Sequence, residues 1–513
     1  MKNAFTFLLF AIVFPVTALA QNGNAISAAQ KSFRDGQFRK SAVQFYNLAF
    51  TEKNLKPHEK SAARYYLGLS LMRLKMNQAA AFPLIITTRE SSGPLAQKAL
   101  QNLVVVSDRL NDTGLLDYTI RKVDPNNLGE VARDLYLNRL AQAQMNKGEL
   151  DQALENLAAA LRLQPHNEES LYLQGLIHLK KNQAEPAIAS LSTLRDRYQS
   201  RPATDSKRGL ASIALARAHY QGKNFKEAID LYREIPKDHP AYRDSQIELT
   251  WSLFRSAQFR SAMSTIQTLH TPYYENFYDP ESLILRAIIL LFVCQNDEAD
   301  KSLQNFTRNY TQAYSQIAQY NKTARAAESN YKQIDAARRH LDIIKKGSTG
   351  KYNGEIPFFV VRTLMDRGAL KNKITYLKEI EEEIKRTESL RQPSEKGIRT
   401  YLQKILLKRQ SNAQREAGQL LANSLRATEE ELSVLSGDLN LLRYEVLNGK
   451  KKQARSEYIK KVNNGETHSR IDHDNSRNFY ISNGNRYWPF EGEYWRDEIG
   501  NYQYLGVNTC ETE

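Results

Sequence analysis

The sequence predicts an all-α protein with three parts: helix pairs stacked into a solenoid over residues 24–310, a long helical hairpin or coiled-coil arm over 311–461, and a short aromatic C-terminal segment over 478–513. Three observations predict it. Small residues recur in pairs twelve positions apart. Beyond residue 310 apolar residues step by three and four. Two of the three tryptophans fall within eight positions near the C-terminus. Residues 1–20 and 462–477 read as a leader and a linker.

The chain has 513 residues, too many for one ordinary core. It is 41% hydrophobic and 25% charged, a folded rather than a disordered composition. Glycine and proline are modest for this length, which favours helix over sheet. The first residues give an address. Lys2 supplies a positive start, Phe5 to Val16 is apolar apart from Thr6 and Pro15, and Ala18-Leu19-Ala20 is a cleavage site. This is a secretory signal, so the mature chain is expected to begin at Gln21 in a periplasm-type compartment. No cysteine follows the cut, which argues against a lipid anchor. The longest other apolar run, Ile284 to Val293, is too short for a helical membrane span. The net charge of +15 would suit nucleic acid, an anionic membrane or acidic cell-wall polymer, and export removes the first. An oxidising compartment permits Cys294 and Cys510 to pair but does not force it. A buried thiol at Cys294 with a loose one at Cys510, or a disulfide within or between chains, both fit the sequence.

The repeat is clearest at Gly148-Glu149-Leu150-Asp151-Gln152-Ala153-Leu154, continuing to Leu157, Ala160, Leu161 and Pro165, after a first helix carrying Leu137, Leu140 and Ala141. Moving on by 34 residues maps Ala141 to Gly175, Ala153 to Ala187 and Leu157 to Leu191. The same twelve-residue pairing appears in Gly68/Ala80, Ala216/Ala228, Thr250/Ala262 and Ala287/Ala299. Gly36, Phe38, Ala42 and Phe45 open the series, and residues 95–127 hold a degenerate unit. This pattern resembles the tetratricopeptide repeat, in which small side chains sit where two helices cross. One helix pair cannot bury its apolar face alone, so about seven or eight pairs are expected to stack into a superhelix. The resemblance implies a concave groove lined by first helices that binds extended peptides or partner helices.

In the arm, Ile317, Tyr320, Ala324, Ala327, Tyr331, Ile334 and Leu341 form a first seam. The glycines at 347, 350 and 354 break it, and Pro357 opens a helix over an apolar patch. A charged helix spans about 369–390 and ends near Pro393. A third helix spans about 395–447 with a seam of Leu425, Thr428, Leu432, Leu435, Leu439, Leu442 and Val446, interrupted by Gly418 and Gly437. The seams pair with each other in a hairpin, or with a seam on another protein. Lys450, Lys451 and Lys452 either complement a helix C-terminus or meet anionic lipid headgroups or cell-wall polymer.

The C-terminal string Tyr487-Trp488-Pro489-Phe490-Glu491-Gly492-Glu493-Tyr494-Trp495-Arg496 is too aromatic to lie exposed without use. It folds back as a cap, or it docks on a partner. It resembles the tails of tetratricopeptide-repeat proteins of predatory and gliding bacteria, including some of adventurous gliding motility. That resemblance implies an envelope machine as the setting.

No G-x-S-x-G, H-E-x-x-H, P-loop, dinucleotide-binding glycine pattern or Cys-x-x-Cys is present. His468, Asp472, His473 and Asp474 are the one close histidine-carboxylate group, and no second pair fixes a metal geometry. No cofactor and no metal are expected, and the chain reads as a binder rather than an enzyme. The candidate partner-binding residues are Trp488, Phe490, Tyr494, Trp495 and Arg496 in the tail, with Asn138, Gln142, Tyr172 and Arg217 as exposed polar positions on first helices. The expected partners are other proteins of an envelope assembly. The alternative is a cell-wall glycan binder whose tail aromatics stack on sugars.

Overall fold

The computed structural model describes residues 23–91, 93–110, 115, 130–202, 204–274, 277–464, 494–504 and 510. The expected signal segment, the linker and most of the aromatic tail lie outside them. Nineteen α-helices and no strands occur among the described residues. They fall in two compact units, one built from residues up to 132 with 379–410, the other from 133–378 with residues from 411 onward.

The first unit holds α1 (Gly23–Arg34), α2 (Phe38–Tyr46), α3 (Pro57–Arg73), α4 (Asn77–Glu90) and α5 (Gly93–Leu110). Its core includes Phe45, Leu67, Leu71, Ala80, Leu84, Leu100 and Leu103, all buried, with Phe45 stacked on Tyr66 at 5.1 Å. The later segment 379–410 packs onto these helices. Glu383 accepts from the backbone N–H groups of Gln78 (2.8 Å) and Ala79 (3.0 Å), which satisfies the free donors at the start of α4. Arg409 donates to Gln78 Oε1 at 2.9 Å. Tyr401 packs on Tyr46 and Phe50, with ring centroids at 5.3 and 4.7 Å. Ile398, Leu402 and Leu406 are buried.

The second unit holds α6 (Glu130–Lys147, from Arg133), α7 (Leu150–Leu163), α8 (Glu168–Lys180), α9 (Ala184–Tyr198), α10 (Ser206–Gln221), α11 (Phe225–Arg233), α12 (Tyr242–Arg255), α13 (Phe259–Leu269), α14 (Pro280–Phe292), α15 (Asn296–Asn321), α16 (Ala327–Lys345) and α17 (Phe358–Met365). Helix α18 (Gly368–Thr387) belongs here through Lys378, and α19 (Lys396–Asn464) from Ser411. All twelve members of the six small-residue pairs are buried. Sixteen residues after each first member stands one large buried side chain: Leu84, Leu157, Leu191, Tyr232, Ile266 and Leu303. It fills the space that the small residue leaves at the crossing.

The turn inside each described helix pair is a left-handed residue: Gly36, Lys75, Gly148, Asn182, Lys223, Ala257 and Cys294, with φ between 56° and 85°. Around Gly148 the backbone bonds run Gly148 N–H to Met145 O (3.2 Å) and Glu149 N–H to Gln144 O (2.9 Å), and the same pair closes α12 at Ala257. This arrangement consumes the last carbonyls of the first helix. Glycine, expected at such turns, fills two of the seven. Asn182 suits the left-handed region by its short polar side chain, and Lys75, Lys223, Ala257 and Cys294 hold it against their intrinsic preference.

The arm differs from expectation. The first seam is interrupted: Ile317 and Tyr320 end α15, Ala324 is exposed in a turn, and Ala327 begins α16. Residues 311–321 therefore complete the last helix pair. The second seam exists but needs no other protein. Ala413, Ala417, Leu421, Leu425, Thr428, Leu432, Leu435, Leu439 and Val446 are buried within this unit, and Leu442 is half-buried. Flanking bonds run to the chain's own helices: Glu429 accepts from Asn321 (2.7 Å), Glu431 from Tyr278 (3.1 Å), and Arg443 donates to Thr307 (2.8 Å). The expected α18–α19 pairing is present, with Lys373 on Glu416 at 2.6 Å. Gly418 lies against the backbone of Ala327, where a Cβ would meet the carbonyl oxygen at 1.9 Å. The helix continues to Asn464, so Lys450 is not at a C-terminus; it pairs with Asp297 (3.1 Å) and Asp300 (2.8 Å). Cys294 and Cys510 form a disulfide, which excludes free thiols at both positions.

Candidate functional site

In the second unit the first helices α6, α8, α10, α12 and α14 are joined by side chains that reach from one to the next. Arg139 of α6 meets Glu169 of α8 at 3.0 Å and donates to Gln142 Oε1 at 2.6 Å. Arg217 of α10 grips Glu248 of α12 with two bonds, Nε to Oε2 (2.8 Å) and Nη2 to Oε1 (2.6 Å). Tyr232 donates to the same carboxylate at 2.8 Å. The indole N–H of Trp251 donates to Glu281 of α14 at 2.8 Å. Bidentate guanidinium–carboxylate geometry fixes both partners in plane. Its hydrogen bond to Glu248 holds the Arg217 guanidinium further above its ordinary value, and burial lifts the Tyr232 hydroxyl well above its own. Leu210 is 41% exposed, one heptad before Arg217 on α10. The result is a row of polar groups held in place, with an apolar contact beside them.

Of the residues expected on this face, Arg217 is exposed as anticipated, and Gln142 and Tyr172 are half-buried. Burial raises the Tyr172 hydroxyl above its usual range, and the nearby Arg217 charge opposes the shift. Asn138 is a correction. It is fully buried, donates to the Asp134 carbonyl (3.1 Å) and accepts from Ser170 Oγ (2.7 Å). With Asn167 on Asp134 Oδ2 at 2.5 Å, it forms a buried polar joint between α6 and α8. A partner does not reach it. The expectation missed Glu248, Trp251, Glu281 and Leu210. Trp251 was within reach, since it stands 34 positions after Arg217 and so occupies the equivalent place in the next repeat.

The described part of the tail lies on α13 and its neighbours. The N–H of Gly500 donates to Thr268 Oγ1 (3.1 Å), that of Tyr504 to Ser264 Oγ (2.9 Å), and Lys237 donates to the carbonyl of Asp497 (3.3 Å). Ile499 is buried, Arg496 stands 5.6 Å above the Tyr273 ring, and the disulfide holds Cys510 at the α14–α15 turn. Of the tail candidates, Tyr494 contacts Tyr502 edge-on and Trp495 is 57% exposed. Trp488, Phe490 and the His468–Asp474 group lie outside the described residues. Among the described residues no cluster of metal-ligating side chains occurs, and no helix is long and apolar enough to cross a membrane.

The tetratricopeptide repeat family matches residues 138–202 and 187–243, which contain α7 to α11 and most of α6. Over residues 138–243 the second unit is a tetratricopeptide-repeat solenoid. No curated protein matches the chain by sequence. Among solved structures, a tetratricopeptide repeat protein from Parabacteroides merdae aligns at 14% identity over 56% of this chain and 92% of its own, with a TM-score of 0.25. A Rap protein complexed with Competence and Sporulation Factor aligns at 9% identity over 71% and 99%, with a TM-score of 0.32. The tetratricopeptide-repeat domain of P58(IPK) aligns at 12% identity over 75% and 98%, with a TM-score of 0.19. The assignment of this solenoid rests on the family match and on the crossings described above. No catalytic family is indicated by the match.

Proposed function

We propose that this protein is an envelope scaffold that lays an extended peptide or partner helix along the first-helix face of α8 to α14. The observation that carries this reading is the Arg217–Glu248 and Trp251–Glu281 row, with Leu210 exposed beside it. Pre-oriented polar groups next to an apolar contact lower the ordering cost of binding a flexible segment. The envelope setting is supported by the signal-like residues 1–20 and by the Cys294–Cys510 disulfide, a bond that persists in oxidising compartments. A motility assembly is the finer setting that the tail resemblance implies. The glycan alternative would rest on Trp495 and Tyr494, the two exposed rings among the described tail aromatics.

Co-purification from envelope extract tests the reading. The double variant Leu210→Asp with Arg217→Ala should lose partner proteins that the wild type retains, while deletion of residues 478–493 should not. Retention by the groove variant, with loss on tail deletion or sedimentation with cell-wall sacculi through Trp495, refutes it. Fractionation and N-terminal sequencing give the address: a mature chain starting at Gln21 in the periplasm is expected.

A further inference from the structure

Helix α19 carries two apolar faces. One is the seam buried against the chain's own helices. The other is exposed: Val434 at 60%, Leu441 at 62%, Tyr444 at 62% and Leu447 at 65%. With about 100° between successive residues, Val434, Leu441 and Tyr444 gather opposite Leu432, Leu435, Leu439 and Val446, and Leu447 sits at their edge. Such a stripe on a well-formed helix calls for a partner surface.

Gly437 lies in the middle of this stripe, and a Cβ there would meet nothing within 4 Å. The other interior glycines of the same helix in this unit are accounted for inside the chain: Gly418 abuts Ala327 and Gly449 abuts Asn296. Gly437 costs helix stability of about 1 kcal/mol relative to alanine and has no such contact. Its place on an exposed apolar face suits the close approach of another backbone.

The charges identify the occupant. Glu430 lies at the N-terminal end of the stripe, and Lys451 and Lys452 lie at its C-terminal end. All three are exposed, and none takes part in an ion pair among the described residues. Parallel copies would set like charges together. An antiparallel second copy sets acid on base at both ends of the stripe, while the exposed Asp438 and Glu445 on its flank come near each other and weaken the contact. Glu430 and Lys452 stand at equal distances in sequence from Leu441, and Tyr444 and Gly437 at nearly equal ones. A dyad at Leu441 therefore brings Leu441 onto Leu441, Tyr444 over the second copy's Gly437, and Glu430 against Lys452. One turn further out Arg426 would face Arg455, which limits the contact to about 33 Å of helix.

We propose that the exposed face of α19 between Glu430 and Lys452 pairs with a second copy of this chain in antiparallel register about Leu441. The contact is small, so dissociation in the micromolar range is expected.

Sedimentation velocity on the oxidised mature chain, over about 1–100 µM, tests this. A monomer–dimer equilibrium is expected. Leu441→Asp and Glu430→Lys should each weaken it at least about tenfold, and adding Lys451→Glu and Lys452→Glu to Glu430→Lys should restore it. Circular dichroism checks that each variant is folded; both sites are exposed, so no loss of helix is expected. Leu441→Cys should cross-link two copies, whereas Val434→Cys should not. A chain monomeric throughout overturns the proposal. So does a dimer indifferent to the charge reversals, cross-linking at Val434→Cys as well as at Leu441→Cys, or protection of Leu441→Cys from alkylation in a monomer, which would mean that residues 465–493 cover the stripe.

Discussion

At Gly175, in the α8–α9 crossing, a methyl group would stand 2.4 Å from Leu191 Cγ, 2.6 Å from Cδ2 and 3.0 Å from Cδ1. Carbon atoms prefer about 3.5–4.0 Å, so Leu191 would have to move by about an ångström in a site without solvent access. Two effects oppose each other in Gly175→Ala. Helix propensity favours alanine by about 1 kcal/mol, and overpacking costs about 1–3 kcal/mol. The net expectation is a loss of about 0–2 kcal/mol. Leu191→Ala alone should cost about 2–5 kcal/mol. In the double variant the new methyl enters the vacated space, the overpacking disappears, and only the propensity gain remains. The pair should therefore be less destabilised than the sum by about 1–3 kcal/mol. Solenoids do not unfold in one step, so the assay is hydrogen exchange read by mass spectrometry over residues 168–198. A stabilised Gly175→Ala variant together with strict additivity would refute the account of the crossing. Ala141→Gly, one repeat earlier, is the control, since Leu157 is already packed around a methyl there; it should cost about 1 kcal/mol.

Burial lifts the Glu383 carboxyl to about 7, against the pull of two backbone N–H donors, so the fold favours its protonated form. That stability is complete below the ordinary carboxyl pKa and is lost as pH rises through about 7; Glu383→Gln should remove the slope, and exchange over residues 57–90 showing no loss in wild type between pH 5 and 8 would contradict it. Gly418→Ala should destabilise by more than about 3 kcal/mol, because the obstacle is backbone, while Gly437→Ala in the same helix should stabilise the monomer by up to about 1 kcal/mol; denaturation midpoints compare them. Cys510→Ser opens a cross-link of sequence separation 216, worth at most about 5 kcal/mol of chain entropy. Faster exchange at residues 494–504 should follow, and a reductant should reproduce it in wild type; an unchanged tail in both would exclude the disulfide as its tether.

The crossings were legible because small side chains are the one requirement of close helix contact that leaves a fixed spacing, and Gly68/Ala80 through Ala287/Ala299 kept it. Turn conformation was not legible: Lys75, Lys223, Ala257 and Cys294 adopt left-handed angles against their intrinsic preference, with no residue type to announce it. The α19 seam was visible as an apolar stripe, but a stripe reads the same whether its own chain or another covers it. Asn138 misled for a related reason. Its place in the repeat matches that of Tyr172, yet a short amide next to Asp134 and Ser170 turns inward where the longer tyrosine stays partly in solvent. The Arg217–Glu248 grip joins residues 31 apart on neighbouring helices, a pairing that only the observed stacking fixes.

The hydrogen bond from Gln78 to Glu383 spans 305 positions. An ideal repeat array can be assembled in order, each unit resting on its predecessor. Here the opening repeats cannot be finished in that order, because the carboxylate that closes α4 and the Tyr401 ring beside α2 emerge long after α1 to α5 have been synthesised. High contact order of this kind slows folding and leaves apolar helix faces waiting. The N-terminal repeats therefore have to be shielded, or kept unfolded, until most of the polypeptide has appeared.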